Sequence, residues 1–430
     1  MAQQRIAVYG DWDGLEKPLR LGFLNTRRSG SQELFEFSFD AEALTHPTLV
    51  NVQLDPRLQS FTGPQYPPQG RTRFAVFSDA SPDRWGRFLM NRRLERDKRA
   101  SVVGQSTKLF ESDYLLGVHD QYRVGALRFR LDDVGPFLDN QDHRGAPPLA
   151  ALRELEAASD AIERDEFNDA PDGGKWLKML IAPGGSLGGA RPKASVIDPD
   201  GGLWIAKFPS ARDTSDDFNI GAWEMVVHTL ARQCGIRVPE SMLRRYVHVH
   251  HTFLVKRFDR TANGRRLHFA SAMTLTDHQD GDDAALGASY LEMAEVLIQY
   301  GSQTNADLRE LWTRIVFNLL VSNTDDHLRN HGFLLDPGKG WRLSEAYDMN
   351  PVPHSDGLKL NISQSDNALD LDLARSVAPY FRLSPTEAQE IIENSQEVVR
   401  QWPLLATALT IPEREQERMA TAFRLAYSKY

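Results

Sequence analysis

The 430-residue sequence predicts an α+β chain in three parts: a β-rich N-terminal module over 1–135, an α/β lobe over 136–260 and an all-α lobe over 261–430. Apolar and polar residues alternate through the first forty positions, as half-buried strands do. A glycine-rich stretch at 184–189 then opens a run of strands with one amphipathic helix. Past about residue 260 strand patterns fade and a 3.6-residue period takes over.

In the first part, "RIAVYGDW", "LRLGFL" and "LFEFSFD" read as strands. "SPDRWGRFLMNRRLERDKRA" reads as a helix opened by Ser81 as N-cap with Pro82 at its first position. Its later half carries Arg92, Arg93, Arg96, Lys98 and Arg99, a solvated face with a docking patch as the rival reading. "YRVGALRFR" is a further strand, and "GAPPLAALRELEAASDAIERDE" a helix behind a Pro-rich linker. In the middle, "DPDGG" at 198–202 makes a hairpin turn. Trp223, Val226, Val227, Leu230, Ala231 and Cys234 then share one helical face. "HHTFLVKRFDR" is the next strand. In the last part, Leu308, Leu311, Trp312, Ile315, Val316, Leu319 and Leu320 form a helical stripe. Two more helices begin at Pro385 and Pro412.

Composition narrows the function classes. A net charge of −9 argues against a dedicated nucleic-acid binder. The single cysteine excludes an intramolecular disulfide and a thiolate-rich zinc site. On its apolar stripe Cys234 reads as a buried, inert thiol. The apolar runs stay short of membrane-spanning length and the first residues lack a signal-peptide pattern, so a cytoplasmic protein without a membrane partner is expected.

The densest chemistry lies in "NTDDHLRNHGFLL" (323–335) and "AYDMNP" (346–351). Phosphoryl transfer in the manner of protein kinases needs a carboxylate to accept the hydroxyl proton and an asparagine five residues later to hold Mg²⁺. Asp325 and Asn330 have that spacing, whereas Asp326 is one position off. Asp348, after the strand-like "WRLSEAY", supplies a second metal-binding carboxylate, and the oxygen set suits Mg²⁺. Upstream, the glycines around Ser186 can bring backbone N–H groups to phosphates. A plain Gly-rich surface loop reads equally well there, and Ser186 equally well as a turn serine. Lys207 ends the apolar strand "LWIAKFP" and either pairs with phosphate or snorkels to the surface. Glu224 on the next helix either orients that lysine or is solvated. The competitor is a zinc hydrolase built on Asp325, Asp326, His327 and His331, which requires His327 and His331 to share a helical face.

The ordered motifs also resemble the HipA family of bacterial toxin kinases over nearly the whole chain. "FSDASPDRWGR" and "RVGALRF" carry the likeness in the first part. "SLGGARPKASV", "WIAKFP", "LVKRFDR", "NTDDHLRNHGFLL" and "AYDMNP" carry it later. The resemblance implies a bilobal, protein-kinase-like fold and a Mg²⁺/ATP-dependent serine/threonine protein kinase. Gly188, Gly189, Ala190, Arg191, Pro192 and Lys193 would cradle ATP phosphates and Lys207 would pair with them. Lys256, Arg257 and Phe258 would be the hinge beside adenine, with His327 and Tyr347 adding to the nucleotide site. Asp325 would be the catalytic base, Asn330 and Asp348 would hold Mg²⁺, and Ser186 would be an autophosphorylated serine. Partners implied are a small helix-turn-helix antitoxin, DNA through it, and a translation-related protein target of the aminoacyl-tRNA synthetase class. The chain departs from ordinary protein kinases in having no H-R-D, D-F-G or A-P-E. A small-molecule or lipid kinase on the same scaffold, or a nucleotide-binding corepressor acting through an antitoxin, are the alternative functions.

Overall fold

Alternation at the start of the chain becomes an antiparallel sheet in the computed structural model, which describes residues 3–50, 52–140, 145–166, 180, 189, 191–213 and 217–428. Its order is Gln32–Phe39, Leu19–Ser29, Gln3–Gly10, Leu127–Arg130. One face buries Ile6, Leu24, Phe35, Phe37 and Phe129. Phe77 packs on that face, 5.6 Å from Phe37 and 6.3 Å from Phe129 between ring centroids.

The basic helix spans Arg84–Arg99, and its N-cap is Asp83 rather than Ser81. Ser81 Oγ donates to the Phe77 carbonyl at 2.7 Å and so closes the preceding turn. The Asp83 carboxylate is then the group that meets the Gly86 N–H, at 2.7 Å. Arg92, Arg93 and Lys98 pair with Asp165, Asp97 and Glu95. These are surface pairs, as a solvated face predicts. The expected helix after the Pro-rich linker spans Leu152–Glu163.

Lys193–Ile197 and Leu203–Lys207 form an antiparallel pair. At the turn between them Gly201 adopts φ +84°, a left-handed conformation open to glycine. The Asp198 carboxylate accepts from the N–H groups of Asp200 and Gly202 and from the Trp204 indole. The Arg257 N–H, just past the strand Thr252–Lys256, donates to the Leu203 carbonyl at 2.8 Å.

The chain divides into two compact units. The first holds residues 1–213, 246–248 and 254–270, the second 214–245, 249–253 and 271–430. At the centre of the second is the helix Thr304–Leu320. Its predicted stripe is buried, and so are Thr313, Arg314, Phe317 and Asn318 on the other sides. Trp312 donates from its indole to the Ala374 carbonyl at 3.0 Å. Further helices span Ile220–Gln233, Tyr290–Tyr300 and Pro385–Val399. Capping boxes at Ser289/Glu292 and Ser384/Glu387 start the last two. Contrary to an all-α lobe, this unit carries an antiparallel hairpin, Gly332–Asp336 with Gly340–Leu343. The chain is thus a mixed α and β protein. Cys234 ends the Ile220–Gln233 helix as its C-cap, and burial pushes its thiol up to about 12.

Candidate functional site

Two clusters hold the candidate residues, one in each unit. In the second unit, the Thr304–Leu320 helix stops at a turn in which Ser322 takes φ +48°. Ser322 Oγ donates to the Ala422 carbonyl at 2.7 Å. Asn323 then ties two segments together. Its Nδ2 donates to Asn318 Oδ1 at 3.1 Å, and its Oδ1 accepts from the Asn350 N–H at 3.2 Å. With the Val352 N–H on the Ser322 carbonyl at 3.0 Å, the stretch carrying Asp348 is fastened to the stretch carrying Asp325.

Asp325 is exposed, whereas Asp326 beside it is 2 % exposed. One Asp326 oxygen accepts from Tyr290 Oη at 2.5 Å, His331 Nε2 at 2.7 Å and Asn318 Nδ2 at 2.9 Å. Burial, reinforced by the Asp326 charge, pushes the Tyr290 phenol well above its ordinary value, so it stays a donor. A short 3₁₀ turn, Leu328–Asn330, follows. It brings Asn330 back so that its Nδ2 donates to the Asp325 carbonyl at 3.2 Å. That bond orients the amide and leaves Oδ1 as its acceptor end. Tyr347 Oη donates to the Arg329 carbonyl at 2.8 Å, and Asp348 follows it at φ +59°, a strained conformation for a residue with a side chain. His327 is half-buried at the N-cap of the 3₁₀ turn.

The zinc-hydrolase reading loses its basis here. His327 and His331 flank the 3₁₀ turn in extended conformation, not on one α-helical face. His331 Nε2 is committed to Asp326. Among the described residues, no three His, Cys, Asp or Glu side chains gather as metal ligands. Asp325 and Asp348 carry carboxylates and Asn330 an amide oxygen, residue types that suit a hard, oxygen-seeking cation rather than zinc.

In the first unit, Gly189 adopts φ +85°. Arg191 is exposed and pairs with Asp213. The Pro192 carbonyl accepts from the Phe208 N–H at 2.9 Å. Lys193 is 3 % exposed, with Nζ 3.2 Å from Asp83 Oδ2. Lys193 and Lys207 are register partners. Along Leu203–Lys207, Trp204 and Ala206 point into the core, while Leu203, Ile205 and Lys207 line a half-buried face. Lys207 therefore stands at the end of an apolar face on the same side as Lys193.

The hinge candidates are placed by the strand Thr252–Lys256. Lys256 Nζ lies 5.7 Å from the Trp204 ring centre, and Phe258 is 6.2 Å from Phe269. Arg257 is buried and donates to Asp259 at 2.7 and 2.9 Å and to the carbonyls of Tyr122 and Arg123. Burial opposes the Asp259 charge, but Arg257 and Arg260 outweigh it and hold the carboxyl well below its usual range. Glu224, on the Ile220–Gln233 helix, is buried. Ser186, Gly188 and Ala190 lie outside the described residues.

The supporting roles of two residues escaped sequence reasoning. Asp326, one position off the kinase spacing and legible in the sequence only as a zinc-hydrolase candidate, anchors the loop. Asp83 gave no local signal; it appears only inside the "SPDRWGR" stretch.

Comparison with known proteins adds to this geometry. The HipA-like C-terminal domain family model matches residues 185–402. A protein of Sinorhizobium fredii named "Putative kinase Y4dM" is 30 % identical over 278 residues, 56 % of this chain and 64 % of that one. A "Putative kinase" of Haemophilus influenzae is 27 % identical over 197 residues, 41 % of this chain and 56 % of that one. The match thus spans less than two thirds of either relative. Among solved structures, the Shewanella oneidensis complex of the toxin–antitoxin proteins HipA and HipB with operator DNA contains a chain of the same fold. The TM-score is 0.62 at 15 % identity, over 98 % of this chain and 95 % of that chain.

Proposed function

The chain belongs to the HipA-like C-terminal domain family, and from that membership we propose that it is a Mg²⁺/ATP-dependent serine/threonine protein kinase of bilobal fold, the toxin of a toxin–antitoxin pair. The observation that carries the reading is the loop at Asp325. An exposed carboxylate stands beside a buried carboxylate anchor, and the Asn330 amide is bonded back to the Asp325 carbonyl from five residues on.

In this reading the acceptor hydroxyl gives its proton to an Asp325 carboxylate oxygen as it bonds to the γ-phosphorus. The bond from that phosphorus to the β–γ bridging oxygen breaks, leaving ADP. Asn330 and Asp348 are the residues that would hold the metal ion, which would supply neutralisation of phosphate charge. Lys207 pairs with the phosphates, and the half-buried Leu203 and Ile205 beside it suit a flat apolar base. By analogy with the Shewanella complex, a small antitoxin, and DNA through it, are the proposed partners. Ser186 is proposed as the site of autophosphorylation.

Incubation of the protein and a bacterial lysate with γ-labelled ATP and Mg²⁺ tests the proposal. A labelled protein band is expected, weakened about 10²–10⁴-fold by Asp325→Asn, with ATP binding retained. Label in a small molecule would make it a metabolite or lipid kinase, and no label at all would remove the kinase reading.

A further inference from the structure

Lys193 was expected to contact phosphate, but its ammonium is already engaged. It lies almost wholly buried against Asp83 Oδ2 at 3.2 Å, from a residue 110 positions earlier in the chain. An ammonium this deep needs a counter-charge, and Asp83, 1 % exposed, is placed to be it. The same carboxylate caps the Arg84–Arg99 helix through the Gly86 N–H. Trp85, two residues on, donates its indole N–H to the Lys193 carbonyl at 2.9 Å. Side chain and backbone of Lys193 are therefore both gripped by the start of one helix.

The grip reaches the glycine-rich stretch. A side-chain carbon built on Gly189 would lie 3.1 Å from Lys193 Nζ, so the backbone at 189 passes directly against the ammonium. With φ +85° as well, position 189 admits glycine alone without strain. On the neighbouring strand Lys193 faces Lys207 in register. Two ammoniums directly opposite one another on a sheet repel, and Asp83 answers the charge at Lys193.

We propose that Asp83 is a positioning residue for the nucleotide site. It holds Lys193 as a latch under Gly189, fixing the backbone that follows the glycine-rich stretch and leaving phosphate pairing to Lys207. This role rests on the ATP-binding reading given above.

The test is ATP titration and steady-state kinetics on full-length wild type, Asp83→Asn, Lys193→Met and the double variant, with melting temperatures alongside. Asparagine caps a helix as well as aspartate does, so Asp83→Asn removes the charge and keeps the cap. The expected result is ATP binding weakened about tenfold by either single substitution. KM for ATP should rise in proportion while kcat changes little, and the double variant should be no worse than either single one. Hydrogen exchange over 191–197 should quicken in Asp83→Asn. Unchanged binding in Asp83→Asn would overturn the role. So would tighter binding, which would mean that Lys193 is a phosphate ligand released by losing its partner, and so would losses that multiply in the double variant. Wild-type protein that binds no ATP would remove the kinase reading itself. Wild-type binding with an indifferent Asp83→Asn would remove the latch alone.

Discussion

The two clusters are held by different chemistry over very different spans of sequence. Around Asp326 one carboxylate collects three donors, two of which, Asn318 and His331, lie within eight residues of it. In the first unit some buried cations are answered from far away, although Arg257 and Arg260 meet Asp259 within two positions. Lys193 meets Asp83 across 110 positions and Arg266 meets Asp120 across 146. Asp259, held by Arg257 and Arg260, accepts from the Gly125 N–H across 134. A loop that carries its own anchor can be recognised from a short motif. A loop anchored by another part of the chain cannot.

If this contrast is right, the two adjacent aspartates should separate cleanly. Asp326→Ala strands the Tyr290 hydroxyl, the Asn318 amide and the His331 ring in a dry environment. A loss of about 3–5 kcal/mol is expected, read as a lowered denaturant midpoint, with transfer lost as the loop slackens. Asp325→Asn, on the exposed carboxylate, should leave the midpoint close to wild type while cutting transfer about 10²–10⁴-fold. Equal destabilisation by the two would erase the distinction between anchor and base.

Next in size is an acid sensitivity expected of the first unit. His268 is buried beside Trp12, ring centroids 5.9 Å apart, and burial alone lowers its pKa to about 4. The unfolded chain takes up this proton near pH 6.5 and the folded one does not. The stabilisation is therefore intact above pH 6.5 and drains away as the pH falls towards about 4, by about 3 kcal/mol in all. His251 in the second unit is also lowered to about 4, by burial first and then by Arg245 and His250. It is only half-buried, so its share is smaller. Hydrogen exchange at pH 5 should accelerate in the first unit before the second. His268→Phe should abolish most of the difference between pH 7 and pH 5, and an unchanged pH dependence in that variant would assign the acid response elsewhere.

How much of this was legible follows from the same contrast. The strands of residues 3–39 and the helix Thr304–Leu320 were readable because their periods survive in the sequence. The spacing of Asp325 and Asn330 was readable because a turn of five residues is a local object. Burial on every side of the central helix was not, since Arg314 and Asn318 look like solvent-facing residues until their partners are known. Arg314 donates to the Ser344 carbonyl and Asn318 to Asp326. Asp83 shows the limit most plainly: nothing near position 83 announces a lysine at 193. The start of its helix was misplaced for a related reason, because Ser81, a good capping residue by type, spends its hydroxyl on Phe77.

The smallest effect probes the self-contained character of the second cluster one layer further out. His278 donates from Nδ1 to Asp282 at 3.0 Å and from Nε2 to Glu292 at 3.0 Å. Glu292 also closes the capping box that starts the helix of Tyr290, the residue that reaches Asp326. Both ring nitrogens can donate only when the imidazole is protonated. The hydrogen bond to Glu292 raises its pKa most, partial burial opposes, and Asp282 adds to the rise. A raised folded-state pKa contributes stability that is complete below the unfolded value of about 6.5 and is lost as the pH climbs through the folded value. Because the ring is only half-buried, solvent screening limits the gain to about 0.5 kcal/mol. His278→Gln should therefore melt slightly below wild type at pH 6 and together with it at pH 9. A gap that stays the same across that range would mean that the ring supports the helix by packing and hydrogen bonding in either protonation state, and that charge at position 278 contributes nothing.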